Sequence, residues 1–162
     1  MEETENIPTL YEWAGGSEAI EGWVEAFYDL TLKDSILRPY FEHMSPEHRH
    51  YVALWISEVF GGPKGYSEIH GKMKSHGRMI IAHQQYPIPE PARIRWIQLM
   101  SQAADIEKIP DDPEFRSAVI AYFEWGTRMQ QVFMVNPVPD ESPMPTWGWG
   151  ERKPFIMPKK QD

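Results

Sequence analysis

The sequence predicts an all-α fold. Apolar residues recur every three or four positions through most of the chain, which is the period of an α-helix with one buried face. Clusters of proline and glycine divide this pattern into segments of helical length. No segment shows the alternation typical of a half-buried strand, so we expect helices joined by turns and loops.

The first two predicted helices are separated by a pair of glycines. A short helix is expected around Thr9–Trp13, because Gly15 and Gly16 follow it directly. Ser17 is expected to cap the next helix, which continues to about Lys33. The residues of this second helix that share one face are Ile20, Val24, Phe27 and Thr31.

The third predicted helix begins at Ser45 and Pro46, a capping residue followed by a proline in the first turn. It ends at the glycines and proline of residues 61–63, which form a strong helix breaker. The residues expected on its buried face are His48, Val52, Trp55 and Val59. Residues 64–77 contain three glycines and little apolar periodicity, so a long loop with room for one helical turn is expected there.

Three more helices are predicted in the second half of the chain. A short one covers Arg78–Gln84, and a longer one covers Ala92–Ile106. The longest begins at Asp112 and Pro113, again a cap followed by a proline, and ends at Phe133.

The chain is expected to form one domain, residues 1–135, followed by an irregular proline-rich extension, residues 136–162. Exposed indoles would leave a large apolar surface in water, so Trp147 and Trp149 of the extension are expected to pack on the domain. The last residues, Lys159–Asp162, are expected to be loose.

Composition excludes several classes of function. The formal net charge of −8 and the scattered basic residues argue against binding to nucleic acid or to an anionic membrane. The absence of cysteine excludes disulfides, thiolate zinc sites, iron–sulfur clusters and thiol catalysis. The first residues lack the apolar core of a signal peptide, and no run approaches the ~18 apolar residues of a membrane helix. We therefore expect a cytoplasmic protein.

The six histidines form no zinc-binding H-E-x-x-H pattern, and no nucleophile elbow or phosphate-binding loop is present.

His83 is notable because it follows Met79 in a short apolar run. A buried imidazole needs partners for its ring nitrogens. A haem iron and a backbone carbonyl would supply both. The local pattern alone, however, favours a hydrogen-bonded core histidine over an iron ligand.

A second wall for such a pocket is predicted by residues from several helices. His48, Val52 and Trp55 share one helix face, Tyr28 carries a hydroxyl, and Trp96 carries an indole N–H. Phe41 could stack on a flat ligand. Donors that face an apolar cavity suit a dioxygen molecule, although each of these aromatic residues alone is more often a core residue.

Several stretches together resemble the group II truncated haemoglobins over roughly residues 9–134. They are Phe27-Tyr28, Gly61-Gly62-Pro63 with Tyr66-Ser67-Glu68, Met79 with His83, Arg95-Trp96, Ile109–Arg116 and Tyr122–Arg128. The resemblance implies a truncated globin, a two-over-two helical sandwich around haem b, with the Pro- and Trp-containing C-terminal extension added. It also implies a protein that binds dioxygen or another diatomic ligand at a five- or six-coordinate iron with a polar distal pocket. With this resemblance, His83 is interpreted as an iron ligand rather than as a core histidine.

The resemblance implies a role for each matching residue. His83 would be the proximal ligand of the iron, and Met79, four residues earlier, would also contact the haem. Tyr28, His48 and Trp96 would face the diatomic ligand on the distal side. The residues expected to pack on the porphyrin are Phe41, Val52 and Trp55, and those expected near its propionates are Tyr66 and Arg78.

Two departures from the family pattern affect this interpretation. His48 adds a third polar group to the distal side, where it could hydrogen-bond the ligand, act as a gate or coordinate the iron itself. The spacing from Gly61 to His83 is also longer than expected.

Two alternatives to a ligand-binding globin remain open. They are a haem enzyme that turns over peroxide or nitric oxide with electrons from a reductase, and a haem-free interaction module. Either a monomer or a homodimer is compatible with the sequence.

Overall fold

The computed structural model describes residues 7–149, and within this range it contains eight helices and no strand. They are α1 (Leu10–Ala14), α2 (Ser17–Thr31), α3 (Arg38–Phe41), α4 (Glu47–Val59), α5 (Gly65–His70), α6 (Ser75–His83), α7 (Glu90–Ile106) and α8 (Pro113–Phe133). The all-α prediction is confirmed. None of these helices is both long and apolar enough to cross a lipid bilayer.

Helix α2 lies at the centre of the fold. It packs against α4 on one side and α7 on another, and α7 in turn packs against α8. The predicted stripe of α2 is fully buried, from Ile20 to Thr31. The indole N–H of Trp23 donates a hydrogen bond of 2.8 Å to the carbonyl of Met100, which fixes α2 against α7. The two helix pairs, α2 with α4 and α7 with α8, therefore meet along the α2–α7 contact.

The helix caps follow the sequence at α8 but not at α2 or α4. In α4 the cap residue is Pro46 rather than Ser45, and the Ser45 hydroxyl accepts a hydrogen bond from the amide of Glu47 at 3.2 Å. The carboxylate of Asp112 accepts hydrogen bonds from the first amides of α8, as its position before Pro113 predicts. The prediction that Ser17 caps α2 is wrong. Gly16 is the cap residue, with φ of +83°, and Ser17 is already helical. Because the Gly15–Gly16 turn leads directly into the helix, the Ser17 hydroxyl lies within the first turn and faces Glu21 at 3.4 Å.

Residues 64–77 are more ordered than their composition indicates. Helix α5 occupies six residues of the predicted loop, and α6 begins at Ser75 rather than at Arg78. The amides of His76 and Gly77 donate to the carbonyl of Ser142, at 3.0 and 3.3 Å. Because this acceptor is distant in sequence, local periodicity could not predict where α6 begins. Helix α3 was also not predicted, since four residues are too few for a periodic signal.

The described part of the extension, residues 136–149, has no regular structure and runs across the helical domain. The indole N–H groups of Trp147 and Trp149 donate to the carbonyls of Ala118 and Pro8, both at 3.1 Å. The ring of Trp149 also lies 5.0 Å from that of Trp13. Both tryptophans thus contact the domain. The predicted loose segment, Lys159–Asp162, lies outside the described residues.

Asp34 joins the turn after α2 to helix α7. One carboxylate oxygen accepts hydrogen bonds from the amides of Ile36 and Leu37, both at 3.0 Å, and the other accepts from Arg95 at 2.6 Å. Burial acts to raise the pKa of Asp34. The hydrogen bonds from Arg95 and the two amides outweigh it, and the pKa is lowered from its ordinary value of 3.8.

We expect Asp34→Ala to lower the free energy of unfolding by about 2 kcal/mol at neutral pH, because hydrogen bonds to a charged group are lost. Asp34→Asn should lower it less, because an amide oxygen can still accept from the backbone. Since the pKa of Asp34 is lower in the folded chain, this stability is present above pH 3.8 and is lost as the pH falls below it. Urea unfolding at several pH values measures both effects.

Asp29→Asn provides the control for this pair, because the Asp29 side chain is 68% exposed and lies 3.9 Å from its basic partner. Its effect on unfolding should stay within about 0.5 kcal/mol. Equal effects of substitution at the two aspartates would contradict the role given to Asp34.

Candidate functional site

A cavity of about 290 Å³ lies between α2 and α4 on one side and α6 and α8 on the other. Apolar and aromatic side chains form most of its lining. The sequence-predicted residues that line it are Tyr28, Phe41, His48, Val52, Trp55, Tyr66, Met79, His83 and Trp96. Arg78 is exposed on α6 and is not among the lining residues. The structure therefore brings together every residue proposed for the site except Arg78.

On the α2–α4 side, Tyr28 and His48 form a hydrogen-bonded pair. The Tyr28 hydroxyl is in short contact with Nδ1 of His48, and it also lies 4.0 Å from the sulfur of Met44. Burial raises the pKa of Tyr28 above its usual range. Burial, followed by the charge of His83, lowers the pKa of His48 to about 4. At neutral pH both side chains are therefore uncharged.

The neutral pair can share its protons in two ways. If the Tyr28 hydroxyl donates to Nδ1 of His48, the histidine carries its proton on Nε2 and offers a donor. If Nδ1 carries the proton and donates to the Tyr28 oxygen, Nε2 carries a lone pair and the tyrosine proton is free to point at Met44. The guanidinium of Arg49 lies over the Tyr28 ring at 4.8 Å and is paired with Glu25 at 2.5 Å.

An aromatic frame supports this side of the cavity. The ring of Phe27 is centred 5.6 Å from that of Phe41 and 5.4 Å from that of Trp96, both in edge-to-face geometry. Trp96 in turn meets Phe123 of α8 at 5.1 Å. Such contacts combine large buried area with a preferred angle, so they hold Phe41 and Trp96 in place in the cavity wall.

On the opposite side, His83 lies at the end of α6. Its Nδ1 donates to the carbonyl of Met79 at 2.7 Å, one turn earlier, which leaves Nε2 as the unprotonated nitrogen. Two glutamines fix α6 against α8. Gln130 donates to the carbonyl of Ile80 at 3.1 Å, and Gln84 donates to that of Phe133 at 2.8 Å. The imidazole of His83 is therefore oriented by its own helix, and that helix is oriented by α8.

The cavity also contains residues that the sequence did not single out. Tyr51 follows His48 by three positions and belongs to the same helix face, so helical periodicity could have identified it. The ring of His70 is centred 4.4 Å from that of Tyr66 and tilted by 40°, but His70 lies in the predicted loop, where no pattern marked it. Burial, and secondarily the charge of Glu58, raises the pKa of Tyr66 to about 12.

Arg93 is a third cavity residue that the sequence did not single out. It is almost fully buried in the cavity wall at the start of α7. Its guanidinium contacts Glu90 of the same turn at 2.5 Å and Glu124 of α8 at 2.6 Å. Hydrogen bonds to Arg93 lower the pKa of Glu90 to about 2. This cluster joins α7 to α8 next to the cavity.

The sequence profile of the family described as bacterial-like globin matches residues 9–128 of the chain. The chain belongs to the bacterial-like globin family. The group 2 truncated haemoglobin YjbI of Bacillus subtilis (strain 168) is 29% identical over 105 residues, 65% of this chain and 74% of that protein. The group 1 truncated haemoglobin GlbN of Nostoc sp. (strain MUN 8820) is 37% identical over 62 residues, 37% of this chain and 52% of that protein.

Solved structures of other bacterial globins share the fold. The group II truncated haemoglobin from Bacillus anthracis superposes with a TM-score of 0.65 at 28% identity, covering 85% of this chain and 98% of that one. The truncated oxygen-avid haemoglobin from Bacillus subtilis gives a TM-score of 0.65 at 25% identity, over 80% and 100% of the two chains. The haemoglobin of Chloroflexus aurantiacus gives 0.63 at 29% identity, over 80% and 99%. The truncated globin fold and the resemblance to group II are confirmed.

Membership of this globin family implies haem binding, and the cavity residues fit that group. His83 offers one unprotonated imidazole nitrogen, the usual globin ligand for haem iron. Flat aromatic side chains form much of the wall around it. The indole N–H of Trp55 and the hydroxyl of Tyr122 are buried beside the cavity, and neither has a hydrogen-bond partner among residues 7–149. Burial raises the pKa of Tyr122.

We expect Arg93→Met to lower the free energy of unfolding by about 2 kcal/mol, because it leaves the carboxylates of Glu90 and Glu124 without their buried partner. Arg128→Met is the matched control. Arg128 also contacts Glu124, but its side chain is 57% exposed, so its loss should cost less than about 1 kcal/mol. Urea unfolding of the two variants measures the difference, and equal losses would contradict the structural role of Arg93.

Proposed function

We propose that this globin holds haem b through His83 and binds dioxygen, or another diatomic ligand, on the side of Tyr28, His48 and Trp96. The observation that carries the proposal is the placement of two histidines on opposite walls of one cavity. The histidine on α6 has Nδ1 committed to a backbone carbonyl, whereas the histidine on α4 is paired with a tyrosine. The two walls therefore offer different chemistry.

The haem would supply an iron that binds diatomic gases, and the protein residues would hold the group and control its surroundings. His83 would provide the axial nitrogen. The Met79 carbonyl would keep the imidazole in the tautomer that has a lone pair on Nε2 and would increase its basicity. Phe41, Val52, Trp55 and Met79 would pack against the faces and edges of the porphyrin, and Tyr66 would lie near its propionates.

On the distal side, the Tyr28–His48 pair and the Trp96 indole would act as neutral hydrogen-bond donors. A hydrogen bond to a dioxygen molecule in an apolar cavity is worth ~1–2 kcal/mol, or roughly a tenfold slower release. The truncated haemoglobin of Bacillus subtilis that shares this fold is described as oxygen-avid, which supports dioxygen as the ligand here. The presence of several donors in one cavity favours tight binding and slow release of the ligand over rapid exchange.

We expect His83→Gly to lose tight haem retention, because it removes the imidazole that the Met79 carbonyl orients in this wall of the cavity. Added imidazole should restore haem binding in this variant by occupying the vacated space. The haem-to-protein ratio and the Soret band of the purified protein measure both results. His43→Gly is the control, since the His43 side chain is 89% exposed. Unchanged haem content in the His83 variant would contradict the assignment.

We expect dioxygen release to become roughly tenfold faster in Tyr28→Phe, His48→Leu and Trp96→Phe, because each substitution removes one polar group. The double variant of Tyr28 and His48 should differ from the sum of the two single variants, since these side chains share a hydrogen bond. Stopped-flow spectroscopy measures the release rates.

Tyr11→Phe is the control for Tyr28→Phe, since Tyr11 packs outside the lining of the cavity. Release rates that stay at the wild-type value in all three distal variants would show that these donors do not stabilise dioxygen.

A further inference from the structure

The extension, which lies beyond the residues matched by the family profile, contacts the helix that carries His83. Ser142 is bonded both to the first turn of this helix and to the chain just before it. Its amide donates to the carbonyl of Met73 at 2.8 Å, and its carbonyl accepts from the amides of His76 and Gly77 at 3.0 and 3.3 Å. Helix α6 has no side-chain cap of its own, since the residue before it is Lys74. The carbonyl of Ser142 thus satisfies two of the amides that a helix leaves unpaired at its N-terminus.

Gly77 shows how closely the extension approaches α6. A Cβ atom at this position would lie 2.1 Å from the Oγ and 3.1 Å from the Cβ of Ser142, and 3.1 Å from a methyl group of Val138. A serine hydroxyl can rotate away, but its Cβ moves only with the chain, and the Val138 methyl can leave only if the stiff β-branched side chain changes rotamer. Glycine inside a helix is less favourable than alanine, so its presence here is explained by the contact with the extension.

The same helix leads directly to the cavity. His83 follows Gly77 by six residues, so it lies about 9 Å along the helix axis. Met79 and His83 line the cavity, and the Nδ1 of His83 is bonded to the carbonyl of Met79. A nine-residue helix moves largely as one body. A change at its N-terminus is therefore transmitted to the imidazole at its other end.

The extension is also fixed to the helical domain at Trp147, which follows the contact of Ser142 with α6. The amide of Trp147 donates to the carbonyl of Val59 at 2.6 Å. Its ring lies 5.6 Å from that of Trp125, and Trp125 stacks on His76 at 5.8 Å with an angle of 13° between the rings. The segment from Val138 to Trp147 thus contacts the first turn of α6 directly through the backbone of Ser142 and indirectly through Trp125 of α8.

We infer that the extension is a positioning element of the haem site: the segment around Ser142 sets the first turn of α6 and, through it, the position of His83. This inference rests on the proposed function, in which His83 is the axial ligand. Ser142 and Val138 are not among the residues that line the cavity, so they would act on the site through α6.

The test compares haem-loaded full-length variants in which Gly77 is enlarged. Gly77→Ala and Gly77→Leu both keep good helix formers in α6 but should push Ser142 and Val138 away. We expect haem transfer to an excess of a haem-accepting apoglobin to become roughly fivefold faster with alanine and roughly thirtyfold faster with leucine. The iron–histidine stretching band of the ferrous protein should shift in the resonance Raman spectrum, and the amides of His76 and Gly77 should exchange faster.

Two matched variants make the result specific. In a Val138→Ala/Ser142→Gly background, which removes the obstructing side-chain atoms and keeps the backbone acceptor, Gly77→Ala should no longer accelerate haem loss. Gly22→Ala is the control for adding a methyl group to a helix, because its obstacle is the flexible carboxylate end of Glu107. Gly22→Ala should leave the haem transfer rate and the Raman band unchanged.

The measurements distinguish failure of the positioning role of the extension from failure of the haem-binding role of His83. If amide exchange increases while haem transfer and the Raman band stay at wild-type values, the extension does not position His83 and the inference is overturned. The same holds if the background fails to suppress the Gly77→Ala effect. If wild-type protein shows no iron–histidine band, or if His83→Gly retains it, the proposed function itself is overturned.

Discussion

A cavity lined by apolar side chains is kept open only if the helices around it cannot move together, because well-packed protein interiors otherwise contain few voids. In this chain, directional polar contacts hold those helices at fixed separations. The indole of Trp23 fixes α2 to α7, Arg93 fixes α7 to α8, and Gln130 fixes α8 to α6. Each contact is partly or fully buried, so its loss leaves a polar group without a partner. The positions of His48 and His83 in the cavity walls depend on this set of contacts.

A further polar cluster joins the opposite walls. The Glu58 carboxylate of α4 accepts from the amide of Ser67 at 2.9 Å and from its hydroxyl, and that hydroxyl lies 3.1 Å from the hydroxyl of Ser75 at the start of α6. These three residues are buried together. The helix that carries His48 and the helix that carries His83 are therefore connected through α5. Ser75 belongs to the same helical turn that the extension contacts, so α6 is held from two directions.

The long helices could be predicted from the sequence because their buried faces repeat at a constant period and their ends carry local signals such as Asp112 and Pro113. Where a helix end depends on a distant partner, the sequence was insufficient. Helix α6 starts three residues earlier than predicted because Ser142 supplies an acceptor. At the site, His83 shows the same limit. Its apolar neighbours alone favoured a core histidine, and only the resemblance indicated an iron ligand. His70 was missed because its partners, Tyr66 and Tyr51, are recognisable only in three dimensions.

The contacts of the extension also affect how the chain is assembled. A protein is synthesised from its N-terminus, so α6 leaves the ribosome well before Ser142 has been made. Until then, the amides of His76 and Gly77 have only water as a partner, and the short helix lacks the contact that fixes its first turn. The nascent chain can form α2, α4 and their aromatic contacts early, whereas the cavity wall formed by α6 is completed last. The order of synthesis thus delays a finished cavity until almost the whole described chain is available.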